Sequence, residues 1–352
     1  MIWLTWRQFR VQFLVIATVV VAAGVALATT GPGLLDQYHK LAENFLQSLA
    51  LDHGMTTLYR VGAVLMYALP PVIGAFWGAP LVARELETGT HRLVWTQSIS
   101  RWHWLAVKVG FTGLAAVGVT GLLSWAVTWW SAPIDRAVNA GQDSNYFLPR
   151  MFPASFSAHA LVPVGYAAFA FALGVAVGLA VRRTVVALAV TLTAVILVMA
   201  LTPSFVRPHL MAPTDKLVTI TEDGIRGFML SGDGPTPQIA GIEVAMGAVG
   251  GWKVYDHTVD KAGNVVDTLP SWAIDCAPGP PPVKQGEGTE RTDPAARAAC
   301  FQRLADEGYR QHLKFFTADK FWPLQWREFG LFFGLAVLLM GFSFWRIRRD
   351  LS

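Results

Sequence analysis

Six long apolar stretches alternate with polar connections along the chain. Uncharged runs lie between Arg10 and Asp36, Arg60 and Arg84, Lys108 and Asp135, Arg150 and Arg182, Arg183 and Arg207, and Glu328 and Arg346. A helix needs roughly 20 apolar residues to cross a hydrocarbon core about 30 Å thick. The first five runs exceed that length. The last is shorter, but Phe321, Trp322 and Trp326 precede it and suit a membrane interface. The pattern therefore predicts six membrane-spanning helices.

Two connections carry patterns of their own. Within the polar stretch from Gly31 to Tyr59, Leu34, Leu35, Tyr38, Leu41, Ala42, Phe45, Leu46 and Leu49 recur at helical spacing, which predicts a short helix packed over one end of the bundle. Between spans five and six, residues 202–323 have a soluble composition and are numerous enough to fold as a unit. There Lys216 to Thr221 and Trp252 to Asp267 alternate as strands do, and Lys261-Ala262-Gly263-Asn264 is suited to a hairpin turn. Asp293-Pro294 has the N-cap and N1 pattern of a helix start, with Ala298, Phe301, Leu304, Ala305, Tyr309, His312 and Phe316 on roughly one face. The expected fold class is an all-α integral membrane protein with an α+β domain between spans five and six. Its expected divisions are an amphipathic interfacial helix over 1–10, spans one to five over 11–201, the domain over 202–323, and span six with its tail over 324–352.

Charge orients the bundle. Arg7, Arg10, Arg84, Arg92, Arg101, Lys108, Arg182, Arg183, Arg346, Arg348 and Arg349 fall in one alternating set of connections and tails, and only Lys40, Arg60, Arg136 and Arg150 in the shorter loops of the other set. By the positive-inside rule both termini are cytoplasmic and the 202–323 domain is extracellular. The expected location is the plasma membrane, with the chain passing through it several times. The composition agrees: 53% of residues are hydrophobic and 15% charged. A net charge of +4 could suit nucleic acid, but the basic residues sit at helix ends, where anionic lipid headgroups meet them, so a lipid bilayer and not nucleic acid is the expected partner. Ala26-Leu27-Ala28 resembles a signal-peptide cleavage site, yet the apolar run is long for a signal peptide, and retention of span one is expected.

The spans offer little chemistry. Charged side chains inside them are essentially lacking, which argues against an ion-coupled carrier, and no paired HExxH motif or buried Asp points to an intramembrane protease. His159 lies near the outer end of span four, where a solvated or interfacial imidazole is expected. No GxxxxGK[ST] phosphate loop is present, so no catalytic residue, resident metal or cofactor is expected and any ATP must be bound elsewhere. Cys276 and Cys300 both fall in the domain read as extracellular, where oxidising conditions favour a disulfide across the loop carrying Pro280, Pro281 and Pro282. Two free thiols are the alternative, and two Cys fall short of the four ligands of structural zinc. Gly74-x-x-x-Gly78, Gly174-x-x-x-Gly178 and Gly330-x-x-x-Gly334 permit close helix approach. Pro70-Pro71 should bend span two, making Tyr67, Phe76 and Trp77 candidates to line a path between protomers, with packing against neighbouring spans as the plainer reading.

The connection between spans two and three is the most informative segment. It runs from Arg84-Glu85-Leu86-Glu87-Thr88-Gly89-Thr90-His91-Arg92-Leu93-Val94-Trp95 to Ser100-Arg101 and Lys108: a charged helix end, a Gly-Thr break, an apolar-faced helix and a new helix start. This arrangement resembles the coupling-helix loop of ABC-type export permeases of the six-span, type-two kind. The leading amphipathic segment Trp3 to Arg10 and the large loop before span six are similar too, and Phe321-Trp322-Pro323-Leu324-Gln325-Trp326 resembles actinobacterial members. The likeness covers the whole chain in topology, and Arg84 to Lys108 as a motif. It implies that Arg84, Glu85, Glu87, Gly89, Thr90, Arg92, Leu93, Trp95 and Arg101 meet a separate subunit that binds ATP and Mg. It further implies a dimer, of identical or related permeases, carrying two such ATPase chains. An apolar or amphipathic cargo such as an antibiotic, lipid or peptide is then expected. The alternative is a membrane sensor or immunity protein whose extracellular domain binds a ligand.

Overall fold

A computed structural model describes residues 2–89, 100–142, 146–231, 238–277 and 294–349. The chain divides into two compact units, one formed by residues up to Met211 together with those from Asp319, the other by Ala212–Ala318. The division falls inside the 202–323 segment expected from composition, because the chain stays helical through Leu210.

The first unit is a bundle with six helical segments long and apolar enough to cross a membrane: Phe9–Leu51, His53–Glu87, Arg101–Asn139, Val162–Val181, Thr184–Leu210 and Ala318–Arg349. Its elements are α1 (Ile2–Leu41), α2 (Phe45–Leu51), α3 (His53–Val72), a π-helical stretch (Ile73–Gly78), α4 (Ala79–Glu87), α5 (Arg101–Asn139), α6 (Pro153–Ser157), α7 (Val162–Val181) and α8 (Thr184–Leu201). A second π-helical stretch (Thr202–Val206), α9 (Arg207–Leu210) and α11 (Phe321–Arg349) complete it. The separate helix expected over residues 1–10 is instead the first part of α1, since Arg10-Val11-Gln12-Phe13 offers no Gly, Pro or cap at which to stop. Trp6 meets Phe13 edge-on at 5.6 Å within the same helix.

Of the stripe expected to form a short helix after span one, Leu34, Leu35, Tyr38 and Leu41 belong to α1, which runs on to Leu41, and Phe45, Leu46 and Leu49 are buried in the separate helix α2. Gln142 pins it by accepting from the Leu46 N–H at 3.1 Å and donating to the Ala42 carbonyl at 2.7 Å. Asp52 then caps α3, its Oδ1 accepting from the N–H groups of Gly54 and Met55 at 2.9 and 3.1 Å.

Span four, α7, is the axis of the bundle. Its sequence is apolar all round and rich in Ala and Gly, and most of its residues are buried. It crosses span two at the paired glycines. A Cβ added at Gly174 would stand 2.3 Å from the Gly74 carbonyl oxygen and 2.7 Å from the Ala79 nitrogen, and one at Gly78 would stand 2.5 Å from the Phe171 oxygen. Two of the three GxxxG motifs thus face each other within one chain. At Gly330 and Gly334 an added Cβ would meet nothing within 4 Å.

The second unit is α+β. β1 (Thr214–Thr219), β5 (Arg310–Phe316) and β4 (Trp252–Val259) form an antiparallel sheet with β5 central, and β2 (Ile225–Ser231) pairs with β3 (Gln238–Val244). Ile239, Ile242, Leu269, Phe301 and Leu304 form its core around the Cys276–Cys300 disulfide. The turn expected at Lys261 to Asn264 is built on Asp260, whose Oδ1 accepts from Asn264 and Ala262 N–H groups at 2.8 and 2.9 Å. Those bonds, led by that from Asn264, hold its carboxyl below the usual carboxylate range.

The helix expected from Pro294 is α10 (Pro294–Asp306), but it does not reach Phe316. Gly308, at φ +85°, ends it with the Tyr309 N–H returning to the Leu304 carbonyl and the Gly308 N–H to that of Ala305, a Schellman closure. Tyr309 therefore leaves the helix, and His312 and Phe316 belong to β5, where Gln311, Leu313 and Phe315 alternate inward. Asp293 and Pro280 to Pro282 lie outside the described residues.

Overpacking sets a test of the helix crossing. Gly174→Val should lower the thermal stability of the detergent-purified protein by at least about 1–3 kcal/mol, whereas Gly334→Ala should leave it unchanged. Equal behaviour of the two variants in a thermal-unfolding assay would contradict this packing.

Candidate functional site

The elbow between spans two and three is built on α4. Its helix ends where Thr88 returns both its N–H (3.1 Å) and its hydroxyl (2.9 Å) to the Arg84 carbonyl, and Gly89 follows at φ +73°. On the other side, Ser100 caps α5 by accepting from the His103 N–H at 3.2 Å. Arg101 is the first residue of that helix. Thr90, Arg92, Leu93 and Trp95 lie outside the described residues.

Two carboxylates brace the elbow from within. Glu85 forms an ion pair with Lys108, their side chains only 12% and 4% exposed. Lys108 also stands 5.0 Å from the ring centroid of buried Trp104. Glu87 Oε2 accepts from the Thr184 N–H at 2.9 Å, placing a negative charge on the N-terminus of α8. The last turn of span two is thereby tied to the start of span three and to the start of span five. Arg84 and Thr88 are exposed on the same turn. Each carboxylate named from the sequence as a contact for a second subunit thus has a partner within the chain.

The other residues named from the sequence are dispersed. Tyr67 donates its hydroxyl to the Ala154 carbonyl at 2.5 Å. Trp77 is buried, edge-on to Phe9 with ring centroids 4.6 Å apart, while Phe76 is half exposed. Pro70 and Pro71 are both buried and lead directly into the π-helical stretch, where the hydrogen-bond ladder is re-spaced.

At the opposite end of the bundle the structure assembles a polar cluster that sequence reasoning missed. Arg207 Nε donates to Glu328 Oε2 at 2.7 Å and Nη2 to Oε1 at 3.0 Å, with both side chains 0% exposed. Arg207 also donates to the Pro153 carbonyl and the Ser157 hydroxyl, and its guanidinium lies 4.3 Å from the ring centroid of Phe156. The Tyr166 hydroxyl completes the shell, donating to Glu328 Oε1 at 2.7 Å. One turn earlier, Gln325 Oε1 accepts from the first N–H groups of α7, those of Leu161 and Val162, at 3.1 and 3.0 Å. In the sequence Arg207 and Glu328 only mark where apolar runs stop; their separation by 121 residues hides the pairing. His159, expected to be solvated, is also buried, with Nδ1 2.5 Å from the Ser155 carbonyl oxygen and Nε2 3.2 Å from Ser131 Oγ. The loop before α7 folds into the bundle and takes the imidazole with it.

Six apolar helices with braced ends define a multi-pass helical membrane protein. The ABC-2 membrane transporter related family model matches residues 6–207, more than half of the 352-residue chain. The chain belongs to that family, and it is a membrane permease component of the ABC type. No curated protein and no solved structure matches it.

The buried ion pair supplies its own test. Arg207→Met or Glu328→Gln alone strands an uncompensated partner and should destabilise the purified protein by about 3–5 kcal/mol. The double variant Arg207→Met with Glu328→Met should recover a large part of that loss in thermal unfolding. A double variant as damaged as the sum of the singles would refute the pairing.

Proposed function

We propose that this chain is the translocation subunit of an ATP-driven exporter. It lies in the plasma membrane with both termini cytoplasmic, and moves an apolar or amphipathic compound such as an antibiotic, lipid or peptide. The observation that carries this reading is the braced elbow within the family match: span two ends in a turn whose carboxylates grip spans three and five. A push on that turn reaches three spans at once. ATP and Mg are bound by a separate ATPase subunit, and the chain itself performs no catalysis. Two permease copies, identical or related, work with two ATPase chains.

The elbow divides the labour. Glu85 and Glu87 transmit motion inward, while Arg84 and Thr88 on the exposed turn, with Gly89, Thr90, Arg92, Leu93, Trp95 and Arg101, form the surface for the ATPase. Charge-assisted contacts across such an interface contribute about 1.5–3 kcal/mol each. Arg84→Ala combined with Arg92→Ala should therefore reduce co-purification of the ATPase and cargo-stimulated hydrolysis, with insertion of the protein unchanged. Intact co-purification and intact stimulation in the double variant would overturn the assignment. A wild-type protein that recruits no ATPase would favour a sensor or immunity role for the 212–318 unit.

The orientation has a separate check. An impermeant maleimide should label Cys276 and Cys300 on intact cells only after reduction, because the two are disulfide-bonded in a unit placed outside the membrane. Labelling without reduction, or none after it while lysed cells label, would reverse that placement.

A further inference from the structure

A slot runs along one side of the bundle. α1 and α3 both pack on α5, yet barely touch each other along their length; α1 instead meets α2 near one end and the π-helical stretch near the other. The gap between them is a cavity of about 350 Å³, walled by Ala23, Ala26 and Leu27 of α1 and Leu58 and Gly62 of α3, with Val127 of α5 as floor. Its lining is wholly apolar, and Val19 and Val61, each nearly half exposed, mark its mouth. Small side chains hollow it out. At Gly62 an added Cβ would meet Val127 at an ordinary 3.7 Å, so nothing in the backbone packing requires glycine.

The slot narrows at one end into a second cavity of about 10 Å³ that shares Leu27, Leu58, Gly62 and Val127 and is also lined by Tyr59, Ser131 and His159. That is room for about one water. Trp130 closes the constriction, its indole N–H donating to Thr30 Oγ1 at 2.9 Å and so bridging α5 to α1. A cleft of this size, apolar along its length with a few polar groups at one end, has the make-up of a small-molecule site. Its mouth lies between exposed apolar residues of two candidate membrane spans, which restricts what can arrive.

We propose that the slot between spans one, two and three binds one hydrocarbon chain of an amphipathic molecule. The chain lies along the wall between Leu27 and Leu65, and the cavity beside Tyr59, Ser131 and His159, with room for about one water, admits no headgroup. From Val19 to Leu27 the wall covers about 12 Å of helix rise, so the slot holds only part of an acyl chain. No charged side chain lines the slot, so a charged cargo is excluded from it. The inference rests on the membrane placement of the spans and not on the export reading.

The test uses the full chain in nanodiscs containing a phospholipid with a diazirine on one acyl chain, followed by irradiation and peptide mapping. Adducts should concentrate in residues 19–27, 58–65 and 123–127, and Gly62→Leu, which fills the slot, should reduce them about tenfold. Ala26→Leu fills the opposite wall and should act alike, so it decides the matter if Gly62→Leu does not fold. A single-chain alkyl amphiphile is then added as competitor. Loss of the phospholipid adducts identifies a site for single-chain compounds, and their persistence identifies a resident bilayer lipid; both support the slot. Adducts spread evenly over exposed positions such as Val185 and Leu338, or unchanged by both fillers, would overturn it.

Discussion

The contact between spans two and four is the constraint on which the rest of the bundle depends. In a hydrocarbon solvent, burial of apolar surface does little to bring helices together, so close backbone approach and dense van der Waals contact must do it. Gly74 and Gly78 on one side and Gly174 and Gly178 on the other allow that approach, with no room for a Cβ at any of the four. Span four can then be buried on nearly all sides, and the remaining spans arrange themselves around it. The π-helical stretch after Pro70-Pro71 falls at this crossing, where a re-spaced ladder presents Gly74 and Gly78 to α7.

With packing concentrated at the centre, polar groups do the fastening at the two ends. Glu85 with Lys108 and Glu87 with Thr184 join three spans at the elbow. Arg207 with Glu328, Tyr166 and Ser157 joins spans four, five and six at the other end. A fully buried ion pair is costly unless its remaining donors and acceptors are satisfied. Here the Pro153 carbonyl and the hydroxyls of Ser157 and Tyr166 bond to the guanidinium and carboxylate, which makes the arrangement specific as well as tolerable. Between these fastened ends, spans one and two separate over a small-residue stretch and leave the slot.

Much of this was legible in the residues. Span count, the turn at Asp260 and two of the three GxxxG close approaches follow from local pattern: run length, turn chemistry and small-residue spacing. The misreadings have equally local causes. The face drawn from Ala298 to Phe316 ignored the stop signal at Gly308, since Tyr309, His312 and Phe316 fit helical spacing as well as they fit the strand they occupy. The break expected near Arg10 was inferred from amphipathicity, and nothing in that stretch terminates a helix. The in-chain partners of Glu85 and Glu87, Lys108 and Thr184, stand 23 and 97 residues away, beyond the reach of local pattern.

The sequence by itself determined that six apolar runs are long enough to cross a membrane and that a segment of different composition interrupts them before the last. Run length, Lys and Arg placement and composition are properties of contiguous residues, so they need no partner to be read. Tertiary structure alone decided which charges pair, which GxxxG motifs meet, and where a cavity stays open. The pairs that fasten the bundle, Glu85 with Lys108 and Arg207 with Glu328, join residues 23 and 121 positions apart, and the slot depends on the scarcity of contact between two helices. Pairing across such distances is set by how the spans cross around α7, and nothing within one span encodes it.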